Sequence, residues 1–349
     1  MLSEFSLIER FFARRAATRA HAARHPVPDA ASALLGIGDD CALLSPRPGE
    51  MLAVSTDMLV EGRHFFPDVD PHALGHKTLA VNLSDLAAMG AAPQAFTLAF
   101  ALPRADEAWL AAFSAGLFEL AERFGCELVG GDTTAGPLNL CVTVFGSVPA
   151  DVALRRDAAQ AGDDIWVSGT LGDARAGLGA IRGEWSVDHA NPAFADADHA
   201  QFRRALERPE PRILLGLALR GVARAALDLS DGLAGDLRHI LERSNMAAIV
   251  DADAVPRSDA LRRLTPEIQR RCTLSGGDDY ELCFTASPAM RDAVENAGRA
   301  AGVAVTRIGT ICAPYSAPHA AAPHAIVWHD ADGAPLTLTL QGFDHFHAD

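Results

Sequence analysis

The sequence predicts an α+β protein of mixed α/β layers in two parts. Three observations predict this. The chain has 349 residues, and a single domain typically takes about 150. Its first half alternates strand and helix patterns in the order β-α-β-α-β-β. Near residue 150 the composition turns polar (ADVALRRDAAQAGD), and a second strand-and-helix set follows. We therefore expect domains at 1–150 and 151–349.

Each element has its own justification. Ser6 and Glu9 are spaced as a capping box, and Leu7, Ile8, Phe11 and Phe12 make a helical stripe. MLAVSTD (51–57) reads as a short buried strand ending in an acid. Asp70 and Pro71 suit the N-cap and first turn of a helix running to Met89, with Gly90 as its stop. QAFTLAFAL (94–102) reads as a strand, and Asp106 caps a second helix to about Phe124. CELVGGD (126–132) and NLCVTVFGSV (139–148) read as strands. In the second half DIWVSG, AALDLSD, AAIVDAD, DYELCFTAS and VAVTRIGTI are strands. Residues 173–182, PRILLGLALRGV and GLAGDLRHILERS are helical. The His/Asp-rich 183–200 stretch reads as a surface insertion, and 313–325 is low in complexity.

Composition excludes several function classes. With 45 acids against 30 bases the net charge is −15, which repels nucleic acid and anionic membrane. The bases are 29 arginines and one lysine, Lys77, and no GxxxxGK[ST] loop exists, so a Walker-type site is out. Six cysteines without a CxxC pair read as reduced, mostly buried thiols, Cys41 among the core. No run of 18 apolar residues appears, and MLSEFSLIERFF carries acids, unlike a secretory segment. A cytoplasmic protein without nucleic-acid or membrane partners is expected.

The informative residues are acids. Asp39 and Asp40 follow Gly-Ile-Gly, and Asp57 and Asp132 read as strand ends, the latter after two glycines. Asp228 and Asp231 lie between a strand and a helix. Asp85 shares a helical stripe with Thr78, Val81, Asn82 and Met89. Taken singly, each acid has a structural explanation as a turn or cap residue. Taken together, carboxylates at strand ends repel unless a cation joins them. Oxygen donors such as Ser55 and Thr56 beside Asp57 suit Mg²⁺, whose remaining ligands are commonly phosphate oxygens.

Seven strings occur in one order: GIGDDCALL (36–44), STDMLVEGRHF (55–65), KTLAVNLSDLAAMGA (77–91), LVGGDTT (128–134), DLSDGL (228–233), LSGGDDYELCF (274–284) and GFDHF (342–346). The set resembles the thiamine-monophosphate kinases, of the aminoimidazole ribonucleotide synthetase-like ATP-binding superfamily. The resemblance implies a two-domain fold of that type and a cytoplasmic homodimer whose N-terminal sheets pair into a barrel, with ATP near the interface. It implies ATP-dependent phosphorylation of thiamine monophosphate to thiamine diphosphate with several Mg²⁺ ions. Asp40, Ser55, Thr56, Asp57, Asp85, Asp132, Asp228 and Asp231 match the metal ligands, Asp57 and Asp132 serving catalysis through the metal. Gly131, Asp132, Arg156 and Ser230 match nucleotide contacts, and His64, Asp278 and Phe343 the substrate side. Asp278 stands where the family often has Glu, so it reaches less far. Phe343 stands where Tyr is common, which keeps stacking and drops a hydroxyl. Two alternatives compete. A sibling ATP-dependent synthetase would lack the GGDDYELCF and GFDHF combination. A non-enzymatic acidic metal-binding protein would bind the ion without ATP.

Overall fold

The computed structural model describes residues 4–13, 35–37, 40–45, 48–185, 196–314, 323–338 and 340. Asp39 and Phe343 lie outside them. The chain forms two compact units, Met1–Ala87 with Ala91–Ala153, and Ala88–Gly90 with Leu154–Asp349. Among the described residues no helix is long and apolar enough to cross a membrane.

The first unit is built on a four-stranded sheet. Its strands are β1 (Glu50–Val60), β2 (Ala92–Leu102), β3 (Glu127–Ala135) and β4 (Asn139–Pro149), in the spatial order β1-β4-β2-β3. β2 and β3 run parallel; the other pairs are antiparallel. Helices α2 (Pro71–Ala88) and α3 (Glu107–Phe124) connect β1 to β2 and β2 to β3, so the predicted β-α-β-α-β-β order holds. The caps hold too: Asp70 Oδ1 accepts from the Ala73 N–H at 3.0 Å, and Asp106 accepts from Ala108 and Trp109.

Four local expectations fail. Helix α1 (Glu4–Ile8, followed by a π turn at Glu9–Ala13) is already under way at Glu4, so Ser6 is inside it and does not cap it. Its Leu7, Phe11 and Phe12 are nonetheless buried. β1 is an eleven-residue edge strand whose outer face is open, so Asp57 lies within the strand and not at its end. β3 likewise continues to Ala135, past Asp132. Cys41 is exposed rather than core. Both strands run past their acids because pairing carries them on, β1 with β4 to Val60 and β3 with β2 to Ala135.

Helix α2 is buried on nearly every side, from Leu74 through Leu83 and Leu86, and takes polar His76, Lys77, Thr78, Asn82 and Ser84 in with it. Thr78, Val81 and Asn82 are buried as the stripe predicted, but Met89 lies beyond the helix end and is exposed. Two glycines permit its close packing. A Cβ on Gly75 would collide with the Phe113 carbonyl of α3, and one on Gly116 of α3 with the His72 carbonyl of α2. The two helices therefore meet backbone to backbone.

The second unit holds a seven-stranded sheet, order β11-β10-β7-β9-β5-β8-β6. Its strands are β5 (Asp164–Ser168), β6 (Ala225–Asp228), β7 (Ala247–Asp251), β8 (Leu282–Ala286), β9 (Val305–Cys312), β10 (Ile326–His329) and β11 (Pro335–Leu336). The helices are α4 (Asp173–Ile181), α5 (Asp196–Glu207), α6 (Ile213–Ala218), α7 (Leu233–Ser244), α8 (Asp259–Arg262), α9 (Pro266–Ser275) and α10 (Arg291–Ala301). Leu233, Leu237, Ile240 and Leu241 of α7 join Ile165, Val167, Leu227 and Val250 in its core. Within the expected 183–200 insertion, Trp185 is buried against α4, its indole N–H donating to the Ala176 carbonyl at 3.2 Å.

The glycine contact is testable. Gly116→Ala should destabilise the protein by about 1–3 kcal/mol through overpacking, read as a lowered unfolding midpoint in thermal and urea melts. An unchanged midpoint would mean that α2 and α3 have slack between them.

Candidate active site

In the first unit the predicted residues gather where α2 lies under β1. Ser55 Oγ donates to Asp85 Oδ2 at 2.5 Å. The Asp57 backbone N–H donates to Asn82 Oδ1 at 3.1 Å, and Asn82 Nδ2 in turn donates to the Thr78 carbonyl at 3.2 Å. Asn82 is buried, and a buried amide must find partners for both its ends. It does so by tying the helix to the edge strand. Ser55 and Asp57 alternate with Thr56, so Thr56 points to the other face. There its hydroxyl meets that of Thr143 at 2.8 Å, across the Thr56–Thr143 pair of β1 and β4.

Asp132 stands apart from this group. The register runs Asp57–Val142–Leu98–Gly131 in one row across the sheet. Asp132 comes one residue later and pairs with Ala99, so its side chain lies on the open face, away from buried Leu98. At the usual strand spacing of about 4.8 Å, three steps put the two rows' ends about 14 Å apart. Gly131 has φ +151°, and a Cβ there would strike the Leu98 carbonyl. Only glycine lets β3 approach β2 so closely just before Asp132. Asp40 is exposed, between the bridge-paired Leu35 and Leu43.

His64 follows β1 in a turn. Its Nδ1 accepts from the Val60 N–H at 3.0 Å.

In the second unit two motifs lie side by side. β6 pairs antiparallel with β8, Asp228 opposite Leu282. The loops beyond continue the contact: Asp278 N–H donates to the Ser230 carbonyl at 2.9 Å, and Tyr280 N–H to the Leu229 carbonyl at 2.8 Å. A Cβ on Gly277 would collide with the Ser230 carbonyl, so the second glycine of SGGDD permits the pairing. Asp278 (φ 66°) and Tyr280 (φ 51°) are both left-handed, a conformation that costs an L-residue about 1–2 kcal/mol. DLSDGL and GGDDYEL are thus one structure, with Asp228, Ser230, Asp231 and Asp278 on neighbouring loops.

Residues that sequence reasoning passed over hold those loops. Asp236 Oδ2 accepts from the Asp231 and Gly232 N–H groups, both at 3.0 Å. Burial pushes its pKa up to about 7, the Asp231 carboxylate adds to the rise, and the Arg156 charge opposes it. Arg156 is therefore near these acids, its carbonyl accepting from Ser244 Oγ at 2.8 Å. Glu281 is buried and takes a bond from Arg212 Nε at 2.7 Å, a second from the Arg212 fork and one from Ser168 Oγ. Both oxygens of Asp279 accept from the Gly172 N–H, at 2.9 and 3.0 Å, at the start of α4. Burial, with Glu281, Asp173 and Asp278 close by, raises the Asp279 pKa well above the usual carboxylate range. Asp236 carried a signal, an acid in the first turn after Gly232. Arg212, which lies 69 residues from Glu281, carried none.

The two halves match two family models, the N-terminal domain of AIR synthase related proteins over residues 38–148 and the C-terminal domain over 160–316. A thiamine-monophosphate kinase of Salmonella typhimurium is 46% identical over 344 residues, 98% of each chain. The chain belongs to the thiamine-monophosphate kinase family. A solved member from Stenotrophomonas maltophilia superposes with a TM-score of 0.79 at 47% identity, covering 96% of this chain and 98% of that one. Another family structure, the protein AaThiL complexed with AMPPCP and TMP, gives 0.71 at 27% identity, covering 86% and 89%. The strings at 55–65, 77–91 and 128–134 lie on or beside β1, α2 and β3, and those at 228–233 and 274–284 form the paired loops of the second unit.

The loop anchor yields a pH test. Because the folded-state pKa of Asp279 is raised, the folded protein holds that proton more tightly than the unfolded chain. Its stability contribution is full below the unfolded value near 4 and falls as pH rises toward the folded value. Asp279→Asn keeps an acceptor for Gly172 and removes the titration, so its stability relative to wild type should climb with pH above about 4. Asp279→Ala strands the buried N–H and should cost about 1–3 kcal/mol. A pH-independent difference between Asn and Asp would refute the buried-acid account.

Proposed function

We propose that this protein transfers the γ-phosphoryl group of ATP to thiamine monophosphate, giving ADP and thiamine diphosphate. The observation that carries this is the end-to-end match to thiamine-monophosphate kinases at 46% identity, supported by a family structure that holds AMPPCP, an ATP analogue, together with TMP. The acceptor is a phosphate monoester with a second pKa of about 6, so at neutral pH it is largely a dianion. Its oxygen needs no general base. It forms the new P–O bond as the bond from the γ-phosphorus to the β–γ bridging oxygen breaks. The obstacle is repulsion between two anions, so catalysis consists of positioning and charge neutralisation.

The donor set fits Mg²⁺: hard oxygens, of which Ser55 Oγ and the Asp85 carboxylate already converge. Asp40, Ser55, Thr56, Asp57, Asp85, Asp132, Asp228 and Asp231 would hold the ions, with phosphate oxygens and water completing the shells. Bound there, Mg²⁺ would neutralise phosphate charge and reverse the local sign of an acid-rich protein. Gly131, Arg156 and Ser230 serve the nucleotide. His64, Asp278 and Phe343 serve thiamine monophosphate.

A homodimer is part of this reading. β1 is an edge strand, and Leu52, Val54, Met58 and Val60 stand exposed on its open face. Such a face calls for a cover. A second copy supplies one by joining the two N-terminal sheets into a barrel. Asp57 and Asp132 occupy the two edge strands, so each lies at a seam of that barrel. The working enzyme sits in the cytoplasm, where ATP and reduced thiols prevail.

Incubation with MgATP and thiamine monophosphate should give equal amounts of ADP and thiamine diphosphate by chromatography, abolished by EDTA. Asp57→Asn or Asp132→Asn should lower turnover at least about a hundredfold with the melting profile kept. Near-normal activity in either would reject its metal role. Val54→Glu should shift the mass in light scattering from dimer to monomer and remove activity. An unchanged mass would place the dimer contact elsewhere.

A further inference from the structure

Three threonines stand in one row across the sheet of the first unit. Thr56 of β1 is opposite Thr143 of β4, and Thr143 is opposite Thr97 of β2. Residues directly opposite one another share a face of the sheet. Here it is the open face, on which Asp132 also lies. The neighbouring rows are apolar, with Val54 and Phe145 on one side and Met58, Cys141 and Ala99 on the other. Threonine and valine are both β-branched and both good strand formers. Valines would therefore serve the sheet and match the rows beside them. Hydroxyls at these positions cost free energy once a second copy covers the face, unless they are put to use.

The three side chains are not placed alike. Thr97 turns its methyl toward β3, Cγ2 lying 3.7 Å from where a Cβ on Gly130 would stand. The Thr56 and Thr143 oxygens are 2.8 Å apart, a hydrogen bond in which either hydroxyl could donate. A hydroxyl has one proton and two lone pairs. With Thr143 as donor, Thr56 spends a lone pair on the bond and keeps its proton to turn elsewhere. With Thr56 as donor, its proton lies along the bond to Thr143 and both its lone pairs are kept. A cation attracts lone pairs and repels a hydroxyl proton, so it favours the second arrangement. Only an acceptor at position 143 makes that arrangement available.

We propose that Thr143 is a positioning residue for Thr56: it accepts the Thr56 hydroxyl proton and so turns the Thr56 oxygen's lone pairs toward a divalent cation. This rests on the reading of Thr56 as a Mg²⁺ ligand. Thr143 would touch neither the ion nor the substrates, and acts through the oxygen it orients. Partners of this kind commonly change metal affinity about ten- to a hundredfold when removed.

The test uses Mn²⁺, which takes the same oxygen donors. It is titrated into the whole protein, and the unbound ion is followed by electron paramagnetic resonance. Thr56→Val defines the binding step that needs the Thr56 hydroxyl. Thr143→Val should weaken that step about tenfold and add nothing in the Thr56→Val background. Thr143→Ser restores an acceptor and should bind as the wild type does. Thr97→Val removes a hydroxyl from the same row, two strands from Thr56, and should also bind as the wild type does. Thr143→Ala carries the comparison if the Val variant does not fold. Wild-type Mn²⁺ binding in Thr143→Val, an equal loss in Thr97→Val, or additive losses in the double variant would each overturn the proposal. Unchanged Mn²⁺ binding in Thr56→Val would instead reject the metal role of Thr56, on which the proposal stands.

Discussion

Everything chemical in the first unit depends on how an edge strand is held still. Among the described residues β1 has a ladder partner on one side only, β4. Left to that ladder, a strand of eleven residues would twist and fray along its free edge. Helix α2 supplies the missing grip with side chains instead of a backbone ladder. Asp85 takes the Ser55 hydroxyl, Asn82 takes the Asp57 N–H, and Lys77 takes the turn beyond. These contacts are spaced along the inner face of one helix, so the strand's position is set by that helix's position. The helix in turn is set by burial on nearly all sides and by the Gly75–Gly116 crossing with α3. The site thus inherits the rigidity of the unit's core, as a constellation that must hold phosphates in line requires.

The second unit solves the same problem with loops. DLSDGL and GGDDYEL carry too many acids to lie together by attraction. They are joined by backbone hydrogen bonds, by glycine at the point of closest approach, and by three acids turned to structural use. Asp236 and Asp279 accept from backbone N–H groups, while Glu281 accepts a guanidinium and a hydroxyl. Removing those carboxylates from solvent raises the pKa of Asp236 and Asp279, which lowers the local negative charge beside Asp231 and Asp278. Left-handed backbone at Asp278 and Tyr280 is the strain this arrangement stores, and it is held by the anchor residue between them.

How much of this the sequence discloses depends on the range of the interaction. Asp70, Asp106 and the alternating order of elements are local signals, and they appear in the fold as read. The candidate acids stand out through their motifs, since strings such as NLSDL and GGDDYEL fix neighbours close in sequence. What stayed hidden was set by contacts distant in sequence. Asp57 and Asp132 read as strand ends because the residues beyond them gave no period, yet β4 and β2 extend both strands by pairing. The all-round burial of α2 follows from what packs on it, and a one-sided stripe could not foretell it. Arg212 and Glu281 meet across 69 residues, with nothing in either string to announce the other.

The near-absence of lysine ties these observations together. A chain that binds two polyanions while carrying −15 cannot rely on its overall field, and its arginines are largely spent within the fold. Arg212 holds Glu281, while Arg291 and Arg307 hold Asp164. Cations so engaged have little left to offer a phosphate, because the carboxylate already takes the fork and much of the charge. On the function proposed above, the attraction for substrate comes from ions brought to the acids and from neutral donors fixed in place, such as glycine-lined backbone. Neutral donors contribute only when they are pre-aimed, since they lack the range of a charge. That requirement explains why so much of the buried polar structure, from Asn82 to Asp279, serves to hold backbone rather than to touch anything that binds.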